Sequence, residues 1–234
     1  MQLFYNGSLD NSFKQFVFSS EESKHIVKVL RKNEGDKLHI TNGKGYLFEA
    51  EILEANPKKC KAQIVSAKKT VARLHTLHIA VAPTKINDRF EWFLEKATEI
   101  GVTEITPILC EHSERKVIKG ERLEKVLQSA MKQSLQTYLP KLNPLTKYED
   151  FLKKEATGLK FIAHCEDEEK AELKRGLAAD KDVVILIGPE GDFSKKEISL
   201  AYGKGFTPVS LGRNRLRTET AAVYACAVVS VINN

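Results

Sequence analysis

Two segments place chemically useful residue types at useful spacings. The first, VVILIGPEGDFSKKEI, runs from an apolar, strand-like stretch through Gly188-Pro189-Glu190-Gly191 into a helix start. Ser194 and Glu197 have capping-box spacing, so the turn before them is tight and well held. Two glycines around a proline let backbone approach a ligand closely, and the helix start offers unpaired N–H groups. The same residues also suit a βα turn whose glycines serve geometry alone. The second segment, LGRNRLRTETAAVYACAVV, crowds Arg213, Arg215 and Arg217 at the entrance to one of the most apolar helices of the chain. Thr218 is placed to act as N-cap, with Glu219 near the positive helix end. A solvated basic loop meets that description. So does a loop whose arginines hold phosphates or orient a substrate that develops negative charge.

Other chemistries lack their residues. There is no GxxxxGK[ST], no GxGxxG after the first strand and no GxSxG elbow. His75 and His78 come without a matching carboxylate or HExxH pattern, so alternation along a strand explains them and no metal is assigned. Cys60, Cys110, Cys165 and Cys226 form no CxxC pair, and read as small apolar fillers rather than a disulfide frame or zinc knuckle.

The elements that must carry these loops follow from patterning. Of 234 residues, 42% are hydrophobic and 29% charged, which is ordinary globular composition and excludes disordered or fibrous architectures. After Arg73, the apolar runs LHIAVA, ITPILC, LKFIAHC, VVILIG and TPVSLG alternate with amphipathic stretches, including GERLEKVLQSAMKQSLQTYL and EKAELKRGLAA. That predicts an α/β domain with a mostly parallel sheet covered on both faces. Ligands of such sheets bind beyond the carboxyl ends of the strands, at the loops after Gly188 and Leu211.

Before Arg73, short alternating segments broken by Asn42-Gly43 and Asn56-Pro57 predict a small, mostly antiparallel β-barrel. It contains one helix from near Ser20 to Gly35. Ile26, Val27 and Leu30 mark the buried face of that helix, and Lys24, Lys28, Arg31 and Lys32 the other. The basic face is either simply solvated or a phosphate-contacting strip. The expected domains are residues 1–72 and 73–234.

Charge supports a polyanionic partner. The net is +6, and the first 72 residues hold 12 basic and 8 acidic side chains, or +4 of it. The longest apolar run, Ala221 to Ile232, is shorter than the roughly 18 to 20 residues a membrane span needs. MQLFYNGSLD lacks a basic segment followed by an apolar one, so no secretory signal is expected and the protein should stay in the cytosol. The terminal helix, apolar over most of its circumference, needs cover from its own sheet and from a second subunit.

IGPEGDFS, LGRNRLRTETA, KINDRFEWFLEKATEIGV and HIVKVLRKNEGD together resemble the ribosomal RNA small subunit methyltransferase E family of the SPOUT superfamily. The resemblance covers nearly the whole chain, in four blocks in the right order. It implies a PUA-like N-terminal β-barrel and a C-terminal SPOUT α/β domain with a deep trefoil knot. It also implies a homodimer that binds S-adenosylmethionine and methylates N3 of a uridine in 16S rRNA of the small ribosomal subunit or its precursor.

By that resemblance Leu186, Ile187, Gly188, Gly191, Leu211, Gly212, Leu216 and Thr218 form the cofactor pocket. Arg217 and Glu219 stand near the reacting uracil, and Arg31, Lys85, Arg89 and Arg115 hold RNA phosphates. The chain departs from the family pattern in three ways. Asp192 replaces a usual glycine, a change that aspartate's tolerance of positive φ accommodates. Arg213-Asn214-Arg215 replaces Pro-Arg-Ile. Lys132 and the Leu3-Phe4 start depart at places where RNA contacts are therefore not carried over. Two other readings are a catalytically silent RNA-binding assembly factor and a knotted 2′-O ribose methyltransferase.

Overall fold

The computed structural model describes residues 1–12, 14–154 and 157–233; Asn234, the end of the expected second domain, lies outside them. The chain divides into two compact units, Met1–Ala72 with Gln128–Leu139, and Arg73–Leu127 with Pro140–Asn234.

The first unit holds β1 (Leu3–Tyr5), β2 (Gln15–Val17), α1 (Ser20–Lys24), a π-helical turn (His25–Val29), β3 (Lys37–Thr41), β4 (Tyr46–Glu54) and β5 (Lys61–Lys69). The strand order is β1-β3-β4-β5-β2, antiparallel except for β1 with β3. Phe4 of β1 and Phe16 of β2 stand at opposite ends of that order, yet both rings meet Phe18, at 5.8 and 4.8 Å. The sheet therefore curls into a small barrel around a core that also takes Ile26, Ile40 and Phe48.

Helix α1 stops earlier than the expected Gly35. A π turn widens its second half, and Arg31 takes a left-handed φ of 55° directly after Leu30. Lys24, Lys28 and Arg31 are exposed, whereas Lys32 is half-buried.

The second unit holds β6 (Leu77–Val81), α2 (Asn87–Ile100), β7 (Glu104–Leu109), the start of α3 (Gly120–Gln133), β8 (Lys141–Leu142), β9 (Thr146–Lys147) and α4 (Tyr148–Leu152). It continues with β10 (Leu159–Ala163), β11 (Ala171–Glu172), α5 (Leu173–Gly176), β12 (Val183–Ile187), α6 (Lys195–Gly203), β13 (Thr207–Ser210) and α7 (Thr218–Asn233). The order β11-β13-β10-β12-β6-β7-β8 is parallel at every pairing.

All five residues of β12 are buried, because both faces of the sheet are covered. Val184 and Leu186 join a layer with Tyr148 and Phe151 of α4 and Ile198 of α6. Their neighbours alternate toward the other face, where α7 packs on β6 and β12 beside α2.

Two helices are shorter than expected. α3 ends at Gln133, not near Leu139, since Leu135 takes φ 58° and the following residues hydrogen-bond to the β3–β4 hairpin, as in Leu139 N–H to Gly43 O at 2.9 Å. In the stretch 169–179 the helix shrinks to the single turn α5, preceded by the two-residue strand β11.

Candidate active site

Strand β12 delivers its last apolar residue, Ile187, to a turn whose shape is held by hydrogen bonds. Asp192 N–H donates to Pro189 O at 2.9 Å, and Asp192 takes φ 63°, the left-handed conformation its side chain tolerates. Its carboxylate accepts Phe193 N–H at 2.9 Å and, across the sheet, Cys165 N–H at 2.7 Å. The aspartate that replaces a glycine thus adds a tie between the loops after β12 and β10.

Gly188 borders a cleft, and both it and Gly191 make room within the chain itself. A Cβ on Gly188 would stand 3.1 Å from the Phe193 ring, and one on Gly191 would stand 3.0 Å from His112 Cβ. The space they leave is filled by the chain's own side chains.

The capping box forms: Ser194 N–H donates to Glu197 Oε2 at 2.9 Å, and Glu197 N–H to Ser194 Oγ at 3.3 Å. Buried Glu197 also accepts Glu111 N–H at 2.9 Å on Oε1. These N–H groups at the start of α6 are therefore occupied by the protein itself rather than offered to an anion.

The second loop meets the first through Thr218. The expected N-cap role falls to Arg217 by backbone, because Ala221 N–H donates to Arg217 O at 2.8 Å. Thr218, buried, instead donates its hydroxyl to Gly188 O at 3.1 Å. Gly212, at φ 120°, makes the bend before the arginines, a conformation that favours glycine. Arg213, Asn214, Arg215 and Arg217 are exposed, and among the described residues no hydrogen bond or ion pair engages the Arg217 guanidinium.

Between these loops lies a cleft of about 330 Å³, adjoined by a second of about 470 Å³. Of the expected pocket residues, Ile187, Gly188, Leu216 and Thr218 line the first, and Leu211, Gly212 and again Leu216 line the second. Leu186 turns into the core, and Gly191 faces His112, so neither lines these two clefts. Arg217 reaches the first cleft from the helix entrance.

Sequence reasoning missed Cys165 and the loop after β10, which border both clefts. The carboxyl-end rule that pointed to the other two loops applies equally to β10 and would have found them. Cys165 is exposed rather than the apolar filler expected; desolvation, and then the neighbouring Asp192, push its thiol up, which disfavours the thiolate.

Glu219 is buried and lines neither cleft. Its Oε1 lies 3.8 Å from Arg89 Nε of α2, an ion pair too long for a hydrogen bond, and its Oε2 has no partner among the described residues. Arg89, expected on phosphate, thus sits against the carboxylate expected at the base.

Lys85 pairs with Glu114 at 2.7 Å, while its N–H donates to Glu190 Oε1 at 2.9 Å. Arg115 donates through Nη2 to Asn87 Oδ1 at 2.6 Å and through Nε to Val117 O at 3.1 Å, leaving a buried Nη1 unpartnered. Arg31 belongs to the barrel unit.

Among the described residues, no cluster of three or more His, Cys, Asp or Glu could hold a metal ion, and no helix is long and apolar enough to cross a membrane.

Comparison with known proteins agrees with this architecture. Residues 72–230 match a family model described as an RNA methyltransferase domain, and 18–65 one described as an RNA methyltransferase PUA domain. The chain is 32% identical to the ribosomal RNA small subunit methyltransferase E of Buchnera aphidicola subsp. Acyrthosiphon pisum, over 95% of this chain and 90% of that protein. A probable rRNA-methyltransferase from Porphyromonas gingivalis superposes with a TM-score of 0.93 at 39% identity, covering 100% of this chain and 98% of that one. A ribosomal RNA small subunit methyltransferase E from Neisseria gonorrhoeae, bound to S-adenosyl methionine, superposes with a TM-score of 0.85 at 25% identity, covering 100% and 98%.

Proposed function

Because this chain belongs to the ribosomal RNA small subunit methyltransferase E family, with a PUA-like barrel and a SPOUT-class α/β domain, we propose that its paired cleft binds S-adenosylmethionine and methylates N3 of a uridine in 16S rRNA. The observation that carries the cofactor reading is the cleft itself. Ile187 and Leu216 give it apolar walls, backbone groups of Gly188 and Gly212 border it, and its two lobes suit an elongated ligand with an apolar and a charged part. The S-adenosyl methionine bound to the Neisseria gonorrhoeae relative supports the same assignment.

When bound, the cofactor supplies a methyl group on a sulfonium that departs as a neutral thioether. The chain's residues do the rest. Uracil N3–H is a weak acid and must give up its proton for N3 to bond to the methyl carbon. Glu219, the carboxylate that the family resemblance places near the uracil, is the proposed acceptor of that proton; in this structure it is buried beside Arg89 and lines neither cleft. Arg217, unengaged at the cleft, stabilises charge spreading onto uracil O2 or O4. N3 attacks with its own electron pair, so no covalent enzyme–base adduct is needed and a Cys165 whose thiolate is disfavoured is consistent with the scheme. Leu186 and Gly191, the other two residues expected at the cofactor, line neither cleft; Leu186 packs in the core and Gly191 lies against His112.

The RNA is held by the exposed Lys24, Lys28 and Arg31 of the barrel unit, whose charges are free to meet phosphates. Tyr224, 44% exposed, and Val231, 77% exposed, lie on α7, and Trp92, 43% exposed, on the adjacent α2. These apolar groups suit the partner of a homodimer. Sedimentation should give a dimer that Tyr224→Glu weakens.

The test of function is cofactor-dependent methyl incorporation into small subunits and free 16S rRNA, with the product nucleoside identified by mass spectrometry. N3-methyluridine is the expected product. A 2′-O-methylated nucleoside would overturn the base assignment, and absence of cofactor binding at millimolar ligand would favour the silent assembly factor.

A further inference from the structure

The loop that follows β7 reaches the turn after β12 at Gly191 and Asp192, and its His112 lines neither cleft. On this loop His112 places Nδ1 3.1 Å from Gly191 O and 3.0 Å from Asp192 O. Both neighbours are carbonyl oxygens, which only accept, so Nδ1 carries the proton and donates a shared hydrogen bond. The approach depends on Gly191, since a Cβ there would stand 3.0 Å from His112 Cβ. That glycine does not have a positive φ. Its lack of a side chain therefore serves the approach of the imidazole.

The loop is itself held at three further points. Cys110 N–H donates to Ser113 Oγ at 3.0 Å, Glu111 N–H to Glu197 Oε1 at 2.9 Å, and Glu114 pairs with Lys85 at 2.7 Å. His112 is thus presented from a fixed frame. The turn it meets contains one non-glycine residue in the left-handed region, Asp192, whose carboxylate ties the other side to Cys165 N–H. A strained residue of this kind keeps its conformation only while its surroundings impose it.

We propose that His112 is a positioning residue for cofactor binding. Its Nδ1–H clamps the carbonyls of Gly191 and Asp192, and so holds Gly188, Pro189 and Glu190 as one wall of the cleft. This rests on the reading of that cleft as the S-adenosylmethionine site.

The clamp is testable because asparagine carries its amide nitrogen where histidine carries Nδ1, whereas glutamine carries it one carbon further out. Calorimetry with S-adenosylmethionine on wild type, His112→Ala, His112→Asn and His112→Gln, with thermal melting of each, reads the effect. The expected result is about tenfold weaker binding for His112→Ala, the worth of one such hydrogen bond. His112→Asn should recover most of it and His112→Gln should not, and the cofactor KM should move much more than kcat. Unchanged affinity in His112→Ala, or no recovery in His112→Asn relative to His112→Gln at matched melting temperatures, would overturn the clamp while leaving the cofactor reading intact. A wild-type protein that binds no cofactor would overturn that reading and the clamp with it.

Discussion

Arg89 Nε lies 3.8 Å from Oε1 of Glu219, joining the first turn of α2 to the first turn of α7. A buried carboxylate with one oxygen facing a guanidinium and the other unpartnered is a pair whose members should act together. Arg89→Ala and Glu219→Gln should each lower turnover by about 10²-fold, within the range general-base groups supply. The double variant should cost much less than the product of the two. Single-turnover methyl incorporation checks this; multiplicative losses would mean the residues act independently.

Arg217 borders the cleft with its guanidinium unengaged among the described residues. Arg217→Ala should reduce kcat by about 10²-fold, as loss of one donor to developing charge does elsewhere. Cofactor affinity by calorimetry should change less than threefold or so, because the interaction forms chiefly in the transition state.

Asp192 combines a left-handed φ of 63° with two accepted backbone hydrogen bonds. Asp192→Ala puts in the left-handed region a residue without aspartate's local hydrogen bonding, at a cost of about 1–2 kcal/mol, and loses both bonds. Asp192→Gly loses the bonds and relieves the strain. Melting temperature should therefore fall further for alanine than for glycine, and cofactor affinity should follow the same order.

Glu197 accepts Glu111 N–H and Ser194 N–H in a buried setting. Glu197→Ala leaves both donors unpaired and should destabilise the protein by about 2–4 kcal/mol. Urea denaturation would register this as a lower midpoint with unchanged slope.

Burial lowers the imidazole pKa of His78 and of His164 below the ordinary 6.5. For His164, Lys170 adds to the lowering, while Glu168, 3.1 Å from Nε2, opposes it. As pH falls below that ordinary value, the unfolded chain binds protons that the folded one does not. The stability these residues contribute is therefore complete above it and is lost toward their folded values. Melting temperature should decline between about pH 7 and pH 5. His78→Gln keeps a polar group for Thr106 Oγ1, which lies 2.7 Å from His78 Nε2, and should flatten the decline.

Features encoded in neighbouring residues were legible from the sequence. The Ser194–Glu197 capping box, the wholly apolar β12 and the change of rhythm near Arg73 all follow from spacing, and the left-handed Asp192 from the glycine usual at its place in the resembled family. Helix ends were less legible. Nothing local announced the π turn at His25–Val29, and the residues after Gln133 leave the helix because the barrel hairpin offers their backbone other partners.

The sequence by itself determined the five main strands after Arg73, the parallel, doubly covered sheet and the two loops that carry the chemistry, since period and turn chemistry are local properties. The short β8, β9, α4 and β11 carry too few residues for a period to show. Only the tertiary structure decided how those loops close on each other. It placed the Thr218 hydroxyl on Gly188 O, the Asp192 carboxylate on Cys165 N–H, the His112 imidazole on the turn carbonyls and Arg89 on Glu219. Each of these joins residues far apart in the chain, and no periodicity records such a contact. The pairs exist because a parallel sheet brings the carboxyl ends of β7, β10 and β12 to one edge, where buried polar groups must find partners among whatever loops arrive there.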